Sequence, residues 1–328
     1  MIAIVGATGE VGRTALSILE ARGYRASELS LFAGPRSAGS TVDFGNDRVR
    51  VRHVDEFDPA GHHAAIFSAG SSVSKEVAPR IAAGGCTVID NSSAFRMDED
   101  KVLCVPEVNG DLLDGLSPNS IIANPNCSTI QLVVALAPIA KAVGLDRVNV
   151  CTYQAVSGAG RKGNEALEGN TDSSPFAVDI RANALPHIDV LEDDGFTKEE
   201  HKVINESRKI LRLPDLKVNV TAVRVPVVNG HSLAVHLETI EPIEVSAVRD
   251  LLSTAPGVAL IDPYPTPRFD ADGKDDVLVG RIRKDPSHPR GLNLWVVADN
   301  LRKGAALNAV QILERLSGVH SGSVGARS

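Results

Sequence analysis

The chain has 328 residues, room for about two domains at roughly 150 residues each. Its 34 Lys and Arg against 41 Asp and Glu give a formal charge of −7, which argues against nucleic acid or an anionic membrane as a partner, since both need a basic face. With 43% hydrophobic and 23% charged residues, the composition is globular and excludes disorder, coiled coil or collagen as a whole-chain reading.

The first 125 residues alternate strand and helix patterns. Ile2–Val5 reads as a short apolar strand, Val11–Arg22 as a helix ending near Gly23, and Glu28–Ala33 as a second strand. Ala64–Ser68 reads as a buried strand, Lys75–Ala83 as a helix closed by Gly84 and Gly85, and Thr87–Asp90 as a further strand. This alternation predicts an α/β fold with a Rossmann-like, doubly wound parallel sheet over 1–125. Beyond about residue 145, β-branched runs at Val148–Val156, Lys217–Val228, Ser232–Thr239 and Leu292–Ala298 predict a mixed α+β domain over 126–299, with a mostly antiparallel sheet. The last helical pattern is Lys303–Leu316, so 300–318 is expected to pack back on the first domain. Residues 319–328 read as a frayed tail.

No apolar run approaches the roughly eighteen residues that a membrane-spanning helix requires. The start, MIAIVGATGEVG, lacks the charged and long apolar regions of a secretory leader. Cysteines 86, 104, 127 and 151 make neither a disulfide framework nor a CxxC pair, so a zinc ribbon is not expected. No His, Asp or Glu cluster has metal spacing. The expectation is a cytoplasmic protein without a metal.

Gly6-Ala7-Thr8-Gly9-Glu10-Val11-Gly12 joins the first strand to the first helix. Glycines there allow a tight turn and a close approach of the backbone to a pyrophosphate, with free N–H groups at the helix start. Gly6, Thr8, Gly9, Glu10 and Val11 are the candidate contacts. The spacing is GxxGxxG rather than GxGxxG, so a merely tight βα turn is the alternative. A cofactor with a free ribose 2′-OH usually meets an acid after the second strand. Between Glu28 and Asp43 there is none; Arg36 and Ser37 stand there instead. A guanidinium fork suits a 2′-phosphate, which favours NADP over NAD. A solvated loop arginine is the plainer reading of Arg36.

Ile122-Ala-Asn-Pro-Asn-Cys-Ser-Thr-Ile-Gln131 is the most informative segment. Pro125 holds Asn124 extended. The run Ser128–Val143 then reads as a helix interrupted by Pro138. Cys127 therefore stands at a helix start, where the dipole lowers a thiol pKa by roughly one unit, and further lowering needs a cation such as a histidine. The other cysteines read as small buried hydrophobes. Thr197-Lys-Glu-Glu200 has capping-box spacing. Val203, Ile204, Ser207, Ile210 and Leu211 follow as an inward stripe, leaving Glu199 and Lys202 adjacent on another face. Arg224 and His231 flank Val-Pro-Val-Val-Asn-Gly. A tight hairpin on Asn229–Gly230 would separate them by roughly 13 Å, and Pro226 disfavours a regular ladder, so a wider loop over 225–230 is expected to bring them together.

These blocks, with FSAGSSVS (67–74), VIDNSSAFRM (88–97), VPEVN (105–109), YQAVSGAG (153–160), YPTP (264–267) and LWVVADNLRKGAALNAVQI (294–312), resemble the bacterial aspartate-semialdehyde dehydrogenases over nearly the whole chain. The resemblance implies NADPH-dependent reductive dephosphorylation of L-4-aspartyl phosphate to L-aspartate 4-semialdehyde, and the reverse, in the biosynthesis of lysine, diaminopimelate, threonine, methionine and isoleucine. It implies Cys127 as thioester nucleophile, His231 as acid/base, and Gln154 as the residue orienting substrate. Arg224 would hold the α-carboxylate, Glu199 the amino group, and Arg96 with Lys202 the phosphate. Ser157, Gly158 and Asn300 would join Thr8–Val11 and Arg36–Ser37 around NADP, and a homodimer is implied.

The chemistry suits these residue types. A thiolate attacks an activated acyl phosphate well. Helix-start N–H groups or the Asn126 amide could hold the tetrahedral oxyanion, and one histidine can serve both directions. Three alternatives remain open: an N-acetylglutamyl-phosphate reductase-like enzyme, a non-catalytic paralogue, and a cysteine hydrolase, which would not need the glycine-rich loop.

Overall fold

The computed structural model describes residues 1–318 except Thr171 and Ser173; the tail expected at 319–328 lies outside the described residues. Two sheets organise the chain. The first takes β1 (Ile2–Val5), β2 (Leu29–Ala33), β3 (Thr41–Phe44), β4 (Asp47–His53), β5 (Ala64–Phe67), β6 (Thr87–Asp90), β7 (Val102–Leu103) and β8 (Ile121–Ala123) in the order 3-4-2-1-5-6-8-7. All pairings are parallel except that of β3 with β4. β1, β2, β5 and β6 are buried along their whole length, as strands covered on both faces must be. Helix α1 (Glu10–Ala21) buries Ala15, Leu16, Ile18 and Leu19 on one face. Helices α2 (Ser71–Ala83) and α3 (Pro106–Asn109) complete this part. From β1 the chain goes to β2 on one side and later to β5 on the other. The crevice at this reversal is where ligands of doubly wound sheets bind.

The helix α4 (Cys127–Val143) leads into the second sheet. Nearly every residue from Ser128 to Leu136 is buried, so this helix is a core element rather than an amphipathic cover. The second sheet takes β9 (Leu145–Gln154), β10 (Lys217–Arg224), β11 (His231–Thr239), β12 (Val258–Leu260), β13 (Val277–Lys284) and β14 (Gly291–Ala298) in the order 10-9-11-14-13-12. The 10-9 and 13-12 pairs are parallel and the other three antiparallel. Between strands lie α5 (Arg161–Leu167), α6 (Lys198–Leu211) and α7 (Val245–Ser253). The final helix α8 (Leu307–Leu316) buries Leu307, Val310, Ile312 and Leu313 in the core shared with α1 and the first sheet.

Several boundaries differ from the sequence reading. The second helix starts at Ser71, four residues early. Pro138 does not interrupt α4; burial on several sides outweighs the one lost hydrogen bond, a loss worth about 3 kcal/mol in an exposed helix. The last helix is split, because Arg302–Ala306 form a π-turn before α8 begins. β10 ends at Arg224, well before Val228, because Val225–Gly230 forms the wide loop. That loop does not connect neighbouring strands: β9 lies between β10 and β11.

Candidate active site

Where β1 meets α1, Gly6 has φ +86°, and a Cβ there would stand 2.6 Å from the Ser68 carbonyl oxygen. A Cβ on Gly12 would come within 2.2 Å of the Gly6 oxygen. The glycines therefore set a turn packed against both the next crossover and its own helix. Thr8 Oγ1 donates to Ser37 Oγ at 3.0 Å, tying this turn to the loop after β2, where Arg36 is exposed.

A cleft of about 930 Å³ opens at these strand ends and extends to the second sheet. Gly9, Glu10, Val11, Ser157, Gly158 and Asn300 line it, together with Arg96, Cys127, Gln154, Glu199, Lys202 and Arg224. The sequence candidates Gly6, Thr8, Arg36, Ser37 and His231 are not in that lining. His231 is fully buried just behind Gly158: its Nε2 lies 3.3 Å, and Arg224 Nη1 3.0 Å, from where a Cβ on Gly158 would stand.

Cys127 is the first residue of α4. Asn126 is the N-cap, its side-chain oxygen accepting from the Ser128 and Thr129 N–H groups at 2.9 and 3.2 Å. Its amide nitrogen donates to Glu199 at 2.8 Å. The Ser128 and Thr129 N–H groups and one bond of the Asn126 amide, which the sequence offered to an oxyanion, are thus already engaged. Gly304 of the π-turn lies against the cysteine, and a Cβ there would stand 3.0 Å from Cys127 Cβ.

The expected lowering of the Cys127 pKa is overturned. Burial and the Glu199 carboxylate push the thiol up to about 11, against the opposing pull of Arg224 and Arg96. A helix start is worth about 2 kcal/mol to an anion at most, and desolvation exceeds it here. Nor is the histidine a cation: burial and the Arg224 charge hold His231 well below its ordinary value. The Ala155 N–H donates to His231 Nδ1 at 3.0 Å, which puts the proton of the neutral ring on Nε2. Nε2 has no protein partner among the described residues.

Arg224 and His231 meet as the wide loop requires. Arg224 ends a strand parallel to β9, His231 begins one antiparallel to it, and both bind Ala155 just past the end of β9. Arg224 Nη1 donates to the Ala155 oxygen at 2.6 Å. Among the described residues no carboxylate lies within ion-pair distance of this buried guanidinium, and the Phe176 ring lies 5.8 Å from it.

Glu199 is buried at the start of α6, on the helix whose Thr197–Glu200 capping box forms as read from sequence. It accepts from Asn126, from Gln154 Nε2 at 3.1 Å and from Lys202 Nζ at 3.2 Å. Burial would lift its carboxyl, but these partners outweigh burial and hold it below the usual range. Lys202 also donates to Asp189 at 2.6 Å. Burial would lower Lys202, but the two carboxylates keep it above its ordinary value. Arg96 is satisfied on three sides, donating to the carbonyls of Asn124 and Asn91 and to Glu206 at 3.0 Å.

Sequence reading missed Glu206, Asp189 and Gly304. Glu206 had a detectable signal, since it falls beside the inward stripe of α6; the other two are visible only once the chain is folded.

Residues 1–116 match the family described as semialdehyde dehydrogenase, NAD binding domain, and residues 136–303 match semialdehyde dehydrogenase, dimerisation domain. Aspartate-semialdehyde dehydrogenase 2 of Vibrio cholerae is 50% identical over 96% of this chain and 97% of its own length. Aspartate-semialdehyde dehydrogenase of Legionella pneumophila is also 50% identical, over 96% and 95%. A crystal structure of aspartate semialdehyde dehydrogenase II from Vibrio cholerae, complexed with ASA, matches with TM-score 0.93 at 50% identity over 97% of this chain and 98% of that one. With both halves of the fold matched in order and the glycine-rich turn facing Cys127 across one cleft, the chain belongs to the aspartate-semialdehyde dehydrogenase family of oxidoreductases of amino-acid biosynthesis.

Proposed function

We propose that this enzyme reduces L-4-aspartyl phosphate to L-aspartate 4-semialdehyde and phosphate with NADPH, reversibly, through a thioester on Cys127. The observation that carries the reading is the placement of Cys127 at the head of α4, on the cleft shared by the glycine-rich turn, Glu199 and Arg224.

The charges in the cleft complement the substrate. Arg224, a buried guanidinium without a carboxylate, takes the α-carboxylate, and Glu199 takes the α-ammonium. Lys202 and Arg96 face the phosphate, although each already has an acidic partner in the structure. A substrate ammonium beside Glu199 removes the carboxylate charge that, after burial, most opposes the thiolate. The Cys127 sulfur then attacks the acyl carbon: a C–S bond forms, the bond from that carbon to the phosphoryl oxygen breaks, and the thiol proton leaves with the departing group as hydrogen phosphate. The residues fit a dinucleotide: Gly9, Glu10 and Val11 at the start of α1 line the cleft where its pyrophosphate would lie, and Ser157, Gly158 and Asn300 line it beyond. A bound dihydronicotinamide supplies hydride to the thioester carbonyl. His231 Nε2–H, lacking a protein partner, stabilises the oxygen as negative charge develops. Collapse breaks the C–S bond and returns the thiolate.

NADP is preferred through Arg36 and Ser37, which stand where an NAD enzyme usually carries an acid. We divide the chain into a nucleotide-binding domain over 1–125, completed by 300–318, and a catalytic and dimerisation domain over 126–299. The enzyme acts in the cytoplasm as a homodimer. The outer face of the second sheet supports this, leaving Tyr153 and His236 exposed beside Trp295. The test is phosphate-dependent oxidation of L-aspartate 4-semialdehyde with NADP. Wild-type turnover lost in Cys127→Ala is expected, and turnover surviving that substitution would overturn the thioester. N-acetylglutamyl phosphate assayed in parallel separates the nearest rival.

A further inference from the structure

Lys303 is a fully buried lysine that the proposed chemistry does not use. It sits inside the π-turn Arg302–Ala306, whose wide bonds run from Gly304 N to Asp299 O and from Ala306 N to Leu301 O. Its ammonium donates to both oxygens of Glu107 at 2.8 and 2.7 Å, to Asn308 Oδ1 at 2.9 Å and to Gln311 Oε1 at 2.7 Å. None of these four residues lines the cleft. Two connections nonetheless lead from Lys303 to the nucleophile. The next residue, Gly304, is in contact with Cys127. On the other path, Asn308 donates to Asn124 Oδ1 at 2.7 Å, and Asn124 donates to the Ala305 carbonyl at 3.2 Å. The loop that carries Cys127 and the turn that covers it are thus fastened to one charged group.

We infer that the buried Lys303–Glu107 pair is a positioning device for Cys127, acting through the π-turn and the Asn308–Asn124 bridge. A buried ion pair adds little to stability that packed apolar side chains of the same size would not, whereas its directed bonds fix geometry. A shift of about 1 Å at a reacting group can lower a rate ~100-fold. The inference rests on the thioester reading.

The double substitution Lys303→Met/Glu107→Leu removes the charges at similar volume, and Glu107→Gln removes the negative charge alone. Folded variants are expected to lose kcat tenfold or more, with KM for NADP and semialdehyde within about twofold. The pH profile of Cys127 alkylation by iodoacetamide, measured without substrate, is expected to move as well. A folded variant with wild-type kcat and alkylation profile would overturn the inference, as would activity falling only in step with Tm or failure of both variants to fold. Wild-type enzyme inactive with phosphate and NADP would instead sink the thioester reading, and the alkylation profile would still judge the clamp.

Discussion

Glu199→Gln should make Cys127 more reactive toward a small electrophile while making the enzyme slower. Glutamine can still accept from Asn126 and Gln154, and Lys202 keeps Asp189, so the fold is preserved and only the charge goes. Unit charges interact by roughly 4 kcal/mol at about 4 Å and an effective dielectric near 20, less as they separate. Lys202, 3.2 Å from the carboxylate, cancels part of that. A net effect of ~1.4 kcal/mol corresponds to about one pKa unit. A carboxylate opposes a neighbouring thiolate, so its removal lowers the thiol pKa from about 11. Alkylation follows the thiolate fraction, which at pH 8 rises about tenfold for one unit. Iodoacetamide labelling of the substrate-free enzyme, followed by mass spectrometry on the Cys127 peptide, measures this directly. Turnover is expected to fall in the same variant because the substrate ammonium loses its partner. Unchanged or slower labelling at pH 8 would refute the assignment of Glu199 as the group that restrains the sulfur.

Three further outcomes are expected. Arg224→Lys should raise KM for the semialdehyde about 10- to 100-fold, the worth of a charged hydrogen bond of roughly 1.5–3 kcal/mol, and steady-state kinetics at saturating NADP would show it. Arg36→Ala should raise KM for NADP about tenfold and leave NAD use unchanged, since only the 2′-phosphate needs the guanidinium; equal effects on both cofactors would remove Arg36 from the site. Glu206→Ala leaves Arg96 buried without its carboxylate and should lower unfolding free energy by about 3 kcal/mol, measured by urea titration.

What the sequence made legible is what is local in the chain. The glycine turn, the Thr197–Glu200 capping box and the start of α4 at Cys127 are all decided within a few residues, by backbone sterics and orphan N–H groups. The β3–β4 hairpin was equally legible and passed unnoticed: Thr41–Phe44 and Asp47–His53 alternate exposed and buried residues around Gly45-Asn46, with Gly45 at φ +59°, as a two-residue turn requires. What stayed hidden depends on distant partners. Arg96 meets Glu206 across 110 residues, and Lys303 meets Glu107 across 196. The sign of the thiol shift was hidden for the same reason. A helix start is visible in sequence, but the burial that outweighs it comes in part from Gly304, and the opposing charge from Glu199.

The elevated thiol pKa and an arginine without a carboxylate partner among the described residues both bear on how charge is held beside this cleft. A cation and an anion buried beside one cleft are costly unless each finds a partner. Glu199 has its partners in Asn126, Gln154 and Lys202, whereas Arg224 leans on the Ala155 carbonyl and lies over the Phe176 ring. Among the described residues the cleft therefore offers Arg224 no carboxylate partner, and it is unfavourable to a thiolate at Cys127. A substrate ammonium beside Glu199 would offset the charge that opposes the thiolate, whereas a substrate carboxylate on Arg224 would offset a cation that favours it. The free chain thus holds Cys127 as a thiol, poorly reactive toward electrophiles, and Glu199 rather than Arg224 is the charge whose neutralisation favours the thiolate.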